Sequence, residues 1–169
     1  TASQAITEQY DGSSWTEVGD VNTGRGYGGA SGSSSKALFY GGTAPTTGKT
    51  ESWNGSSWTE IADLSTARHS VSSAGTLNTA ALASAGYDGS NRLTNVEELT
   101  VDAPVGAWSS GGDLNTARTA IGNAGTQTAA LGMGGIVSGI ALTSNESYNG
   151  STWTEIADLN TGANSLGSN

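Results

Sequence analysis

The sequence predicts an all-β protein assembled from four-stranded antiparallel units. Three observations carry that prediction: a Trp marker that recurs along the chain, Asn-Gly or Asp-Gly pairs at turn spacing, and the absence of any sustained 3.6-residue apolar stripe. The markers Trp15, Trp58, Trp108 and Trp153 are 43, 50 and 45 residues apart. Gly supplies 26 of the 169 residues, and there is one Phe and one Met against five Trp and five Tyr. A disordered chain of similar polarity lacks aromatics on a schedule, so the composition reads as short strands joined by many turns.

The elements of one unit follow in order. After Arg25, Arg68 or Arg118 comes a weakly apolar run, such as HSVSSAGT (69–76), which predicts a first strand. A turn and then KALFYGG (36–42), TAALASAG (79–86) or TAALGMGG (128–135) predict a second, ended by the doublets Gly41-Gly42, Ala85-Gly86 and Gly134-Gly135. A variable loop follows, at 43–49, 87–94 or 136–144. The third strand carries Glu51, Glu97 or Glu146, and Glu8 is the counterpart near the N-terminus. A tight turn leads into the Trp strand. DGSS, NGSS and NGST tolerate positive φ and close hairpins. They set Tyr10, Trp53 and Tyr148 opposite Trp15, Trp58 and Trp153, aromatic pairs that contribute roughly 0.2–1 kcal/mol each. In the third copy VDAPVGAW (101–108) replaces this turn and predicts a longer, irregular hairpin end around Pro104.

The joins between units are equally regular. Asp20, Asp63, Asp113 and Asp158 each follow their Trp by five residues, and an Arg stands five further on in three copies, with Ala163 in the fourth. Such a carboxylate is expected to accept backbone N–H bonds from the turn that follows. The Glu and Arg residues are expected to form buried or partly buried ion pairs, Glu51 with Arg68 or a Glu with the Arg of an adjacent unit. The chain then divides into a half unit at 6–20, complete units at 25–63, 68–113 and 118–158, and the start of another at 163–169, about fifteen strands in all.

A four-stranded unit of this length, with a Gly doublet at the end of its second strand and a Trp opening its fourth, resembles the kelch repeat. The resemblance covers almost the whole chain. It rests on the doublets at 41–42 and 134–135, on Tyr10, Trp53 and Tyr148, on the four Trp markers, and on the joins ADLSTAR (62–68) and GDLNTAR (112–118). Ala85 and Leu99 depart from the pattern. The resemblance implies a β-propeller, or part of one, with four-stranded blades. The Trp and Asp markers and Gly42, Gly86 and Gly135 are then structural residues. The wording ESWNGSSWTEIADLSTAR, with AGTQTAAL later, is also similar to kelch-type proteins encoded by marine tailed phages. That implies a virion or extracellular location and a decoration or tail-associated role, with copies of itself or other virion proteins as partners. The chain begins at Thr1 without Met, as expected of a processed product or a piece of something longer, and neighbouring chains or further sequence are expected against both ends of the array.

Several function classes fit poorly. A net charge of −9 argues against nucleic acid as a partner. No apolar run approaches the ~20 residues of a membrane helix. There is no Cys, and the single His, His69, stands where the other copies have Gly26 and Thr119, so no zinc site or Ser/His/Asp triad is expected. Galactose oxidase-like kelch proteins use a Cys-linked Tyr and two His, which this chain cannot supply. The D/N-G-S-S/T-W string lacks a residue of the sialidase motif. GRGYGG (24–29) has no strand–helix context for phosphate binding. The repeated Glu residues are expected to be scaffold rather than paired catalytic carboxylates. No catalytic residue, metal or cofactor is therefore expected. The alternative to a structural or interaction protein is a glycan-binding module, with Tyr87, Asp88, Asn91 and Arg92 as the most sugar-like loop.

Overall fold

The computed structural model describes residues 4–101 and 106–165, and among them every regular element is a strand. The hairpin end around Pro104 and the last residues of the 163–169 segment lie outside the described residues. An N-terminal hairpin pairs β1 (Glu8–Tyr10) with β2 (Trp15–Glu17). The first four-stranded sheet comprises β3 (Gly29–Ser33), β4 (Lys36–Tyr40), β5 (Thr50–Trp53) and β6 (Trp58–Ile61). The second comprises β7 (Ser72–Leu77), β8 (Ala80–Ser84), β9 (Val96–Thr100) and β10 (Ala107–Ser110). The third contains β11 (Gly122–Thr126) and β12 (Ala129–Met133). Its loop forms a small hairpin of its own, β13 (Ile136–Val137) with β14 (Ile140–Ala141), before β15 (Asn145–Tyr148) and β16 (Trp153–Ile156). Each four-stranded sheet is antiparallel, with its strands in sequence order.

The count differs from the sequence expectation at two points. The loop 136–144 builds two extra strands, because Ser138-Gly139, both at positive φ, close a two-residue hairpin there. At the C-terminal end Ala163 makes a single antiparallel bridge with Leu142, and no strand follows among the described residues.

The register explains the aromatic pairs. Tyr10 sits opposite Trp15, Trp53 opposite Trp58 and Tyr148 opposite Trp153, with ring centroids 5.2, 5.4 and 4.9 Å apart. In the second sheet Leu99 takes the aromatic's place opposite Trp108. The longer connection there leaves the pairing intact.

The buried apolar residues among those described form two separate clusters. Leu38 and Tyr40 of the first sheet pack with Ala81, Ala83 and Leu99 of the second. Leu82 and Val96 of the second pack with Ile121, Ala130, Tyr148 and Trp153 of the third. The second sheet thus offers one face to the sheet before it and the other to the sheet after it. The first strands crowd together: β3 lies against β7, and β7 against β11. The Ala30 N–H donates to Ser73 Oγ at 3.0 Å, and the Ser72 hydroxyl donates to the Ile121 carbonyl at 2.5 Å. A Cβ on Gly29 would stand 2.5 Å from Ser73 Oγ. This proximity accounts for strands as small as GASGS and GNAGT, which sequence propensity alone disfavours.

A second tie runs between outer strands. Trp58 Nε1 donates to Thr7 Oγ1, and Trp108 Nε1 to Thr50 Oγ1, both at 3.1 Å. Thr7 and Thr50 each directly precede the repeated Glu. At the next interface that position is Val96, which has no acceptor, and the buried Trp153 Nε1 has no hydrogen-bond partner among the described residues.

Candidate binding surface

The repeated ionisable residues meet in three buried ion pairs. Arg25 pairs with Glu51 at 2.5 Å, Arg68 with Glu97 at 2.7 Å and Arg118 with Glu146 at 2.6 Å. The expected Glu51–Arg68 pairing is therefore corrected: each Glu takes the Arg that opens its own unit. Burial is tolerable because every member has further partners. The second carboxylate oxygen accepts the backbone N–H of Asn22, Ser65 or Asn115, three residues before the Arg. The guanidinium donates to the carbonyl of the first doublet residue, Gly41, Ala85 or Gly134. Burial pushes the Glu51 carboxyl up, but Arg25 and the two Asn22 donors outweigh it and hold the group below its ordinary range. Burial lowers the Arg68 and Arg118 guanidinium groups against the opposing pull of Glu97 and Glu146.

The doublets resolve the anomaly at Ala85. Their first residue has φ of 66, 58 and 59°, the left-handed region that an alanine can occupy at a cost. Their second residue, Gly42, Gly86 or Gly135, has φ of 120, 105 and 105°, where only glycine is comfortable. The Asp markers also act differently from expectation. Three of the four reach back into their own sheet: Asp63 accepts from Thr50 N at 3.1 Å, and Asp158 and Asp113 accept from the hydroxyls of Thr143 and Thr94 at 3.0 and 3.4 Å. These three carboxylates tie the residues that lead into the third strand.

These ties gather the three variable loops on one face. The residue after each Arg bridges the residue after each doublet: Gly26 with Thr43, His69 with Tyr87, Thr119 with Ile136. His69 thereby serves as a backbone link, with its ring edge-on to Tyr87 at 5.5 Å. The next residue in each copy, Tyr27, Ser70, Ala120 and Ser165, lies at φ of 50–58°. Ser70 N donates to the Tyr27 carbonyl at 2.7 Å, and Ser165 N to the Ala120 carbonyl at 2.8 Å. Together these four line a shallow hollow of about 220 Å³ on the loop face. Sequence reasoning missed it, because the position carries Tyr, Ser, Ala and Ser and only its spacing from the Arg repeats.

The structure brings Tyr87, Asp88, Asn91 and Arg92 into one turn. Tyr87 bridges Arg92, and Asp88 Oδ1 accepts the N–H groups of Ser90 and Asn91, both at 2.7 Å. Those two donors hold the Asp88 carboxyl below its ordinary range. Asp88 is thus engaged in shaping the loop, while Asn91 is exposed and Tyr87 and Arg92 are half-buried.

No protein-family model matches the chain, and no curated protein sequence matches it. Among solved structures the fold is similar to that titled "Structure of YjhT", with a TM-score of 0.74 at 10% sequence identity. The match covers 91% of this chain and 62% of that one, so the chain spans about three fifths of the length of the structure it resembles. At this identity the likeness concerns the fold alone.

Proposed function

We propose that this chain is a non-enzymatic interaction scaffold, an arc of a kelch-like β-propeller whose loops at 43–49, 87–94 and 136–144 present the recognition surface. One observation carries the reading: the ionisable residues that repeat are held in buried pairs within the scaffold, while the segments that differ between copies share one open face. The stacking of separate four-stranded sheets through small first strands supports the propeller arrangement. The phrase similarity to phage-encoded proteins supports a decoration or tail-associated role in a virion, with other virion proteins as partners. Two measurements test this. Mass spectrometry of purified particles should find the chain in the assembled virion. Replacing 87–94 by the 43–49 sequence should abolish binding to the particle without lowering the melting temperature. Binding that survives replacement of all three loops rules the loop surface out.

A glycan-binding reading is favoured by one feature, a single loop turn that holds the half-buried Tyr87 and Arg92 together with the exposed Asn91. A glycan array should then show ligands lost on Tyr87→Ala, and an array silent with the intact chain ends this reading.

A further inference from the structure

Three of the four arginines lie in the buried ion pairs, and the fourth, Arg92, makes no ion pair among the described residues. Its Nε is enclosed by the chain without a hydrogen-bond partner, while its terminal nitrogens are neither buried nor hydrogen-bonded among those residues. The backbone decides what stands beside it. His69 and Tyr87 exchange two backbone hydrogen bonds, at 3.0 and 2.9 Å, and Tyr87 in turn bridges Arg92. That second bridge lies between the bonds from Leu93 N–H to Gly86 and from Asp88 N–H to Asn91, a pairing in which side chains approach most closely. Opposed residues of antiparallel strands share a face, so His69, Tyr87 and Arg92 stand in one row. Across three strands the row spans about 10 Å, enough for one sugar residue with its substituents. The Tyr87 hydroxyl and His69 Nε2 are open in the same sense as the Arg92 terminal nitrogens. Asp88, in the same turn, is taken up by the N–H groups of Ser90 and Asn91 and makes no ion pair with Arg92.

The scaffold does not require this row. One backbone hydrogen bond, from Thr47 to Gly42, Leu93 to Gly86 and Leu142 to Gly135, aligns the three loops. It puts Thr46 and Ala141 at the position of Arg92, and Gly26–Thr43 and Thr119–Ile136 at that of His69–Tyr87. The same corner is thus built twice without a cation, a phenol or an imidazole.

We infer that the row binds a uronate, a saccharide that carries a carboxylate, with that carboxylate on the terminal nitrogens of Arg92 and the sugar hydroxyls on the Tyr87 hydroxyl and His69 Nε2. The inference rests on the glycan-binding reading and names its ligand class. A guanidinium is a planar fork that matches a carboxylate. The Ser70 hydroxyl lies 3.1 Å from His69 Nδ1, which leaves Nε2 for the ligand. A single cation beside a phenol and an imidazole suits a ligand with one charge and several hydroxyls. An acidic peptide or a phosphate dianion would bring charge that one arginine cannot offset, on a chain whose net charge is already −9.

The experiment is calorimetric titration of the full chain with oligosaccharides of galacturonate, glucuronate, mannuronate and guluronate, each beside its methyl ester, with neutral oligosaccharides and hexaglutamate for comparison. At least one uronate should bind, and its methyl ester should bind about tenfold or more weakly, since esterification removes the charge that Arg92 meets. Arg92→Gln, which keeps much of the stem, and Arg92→Ala, which copies the third unit, should each lose a similar factor for the acid and little for the ester. His69→Thr, also a copy of the third unit, should weaken acid and ester alike. Each variant should melt near the parent temperature, and the comparison of acid with ester on the parent needs no variant at all. Silence across the uronate panel overturns the inference, as do esters that bind as tightly as acids, acid binding unchanged in Arg92→Gln, or hexaglutamate that binds as tightly as the uronates. Neutral oligosaccharides that bind better than uronates and are lost on Tyr87→Ala also overturn it, while leaving the glycan-binding reading in place.

Discussion

Trp15 and Trp153 stand at the same place in the repeat, opposite a tyrosine across the same kind of hairpin, yet one is 66% exposed and the other 6%. Their local environments match: the Tyr10–Trp15 rings are 5.2 Å apart and the Tyr148–Trp153 rings 4.9 Å. What differs is the neighbour. Trp153 packs on Leu82 and Val96 of the preceding sheet, whereas among the described residues no sheet lies before the hairpin that carries Trp15. The marker residue is therefore an interface residue, whose burial is conferred by the preceding unit and not by its own sheet. Stability in such an array is close to a sum of units and the contacts between them.

That comparison is open to direct attack, beginning with the ionic counterparts. Glu97→Ala leaves Arg68 buried without its anion and should cost about 3–5 kcal/mol, whereas Glu8→Ala, at the exposed equivalent, should stay within about 0.5 kcal/mol. Chemical denaturation of both variants measures the difference, and equal losses would mean that the end hairpin is as integral as the interior. Trp153→Ala should lose about 3–5 kcal/mol and Trp15→Ala about 0.5 kcal/mol or less. Thermal melts of dilute samples, which exclude association, decide it. A smaller effect separates the two doublet positions. Gly86→Ala forces a side chain to φ 105° and should cost more than about 1 kcal/mol, while Ala85→Gly, at φ 58°, should change stability by less than that. The smallest expected change is a gain. Val96→Thr restores at the Trp153 interface the acceptor that Thr7 and Thr50 provide at the others, and should stabilise by about 0.5 kcal/mol. A loss on calorimetry would show that the burial of the valine methyl outweighs the indole bond.

Much of this fold was legible because the repeat displays each element several times. The all-β class and the four-stranded antiparallel sheets follow from turn chemistry and Trp spacing alone. Pairings across the sheet were less legible. Glu51 has Arg25 and Arg68 at comparable distances in sequence, and only the path of the join shows that Arg25 lies within reach. Ala85 reads as a broken doublet in sequence, since composition does not distinguish a φ of 58° from one of 105°. The loop face was recognisable as the place where the copies disagree. The hollow beside it was not, because its positions share a backbone conformation and no residue type. Trp15 could not be told from Trp58 at all, for exposure is decided by what lies alongside.

The hairpin turns carry a final consequence, for chemical ageing. Asn-Gly is the dipeptide most prone to lose its side-chain amide, because the glycine N–H meets little hindrance in attacking the side-chain carbonyl. Asn54 and Asn149 both precede glycine, and each uses Oδ1 to accept two backbone N–H groups. The first hairpin already carries the aspartate product: Asp11 Oδ1 accepts the N–H groups of Ser13 and Ser14, both at 2.8 Å. Conversion of Asn54 or Asn149 to aspartate therefore keeps the turn and adds one negative charge per event. The isoaspartyl product inserts an extra backbone carbon and would pull Trp53 out of register with Trp58. A stored sample should thus drift in charge well before it loses its fold.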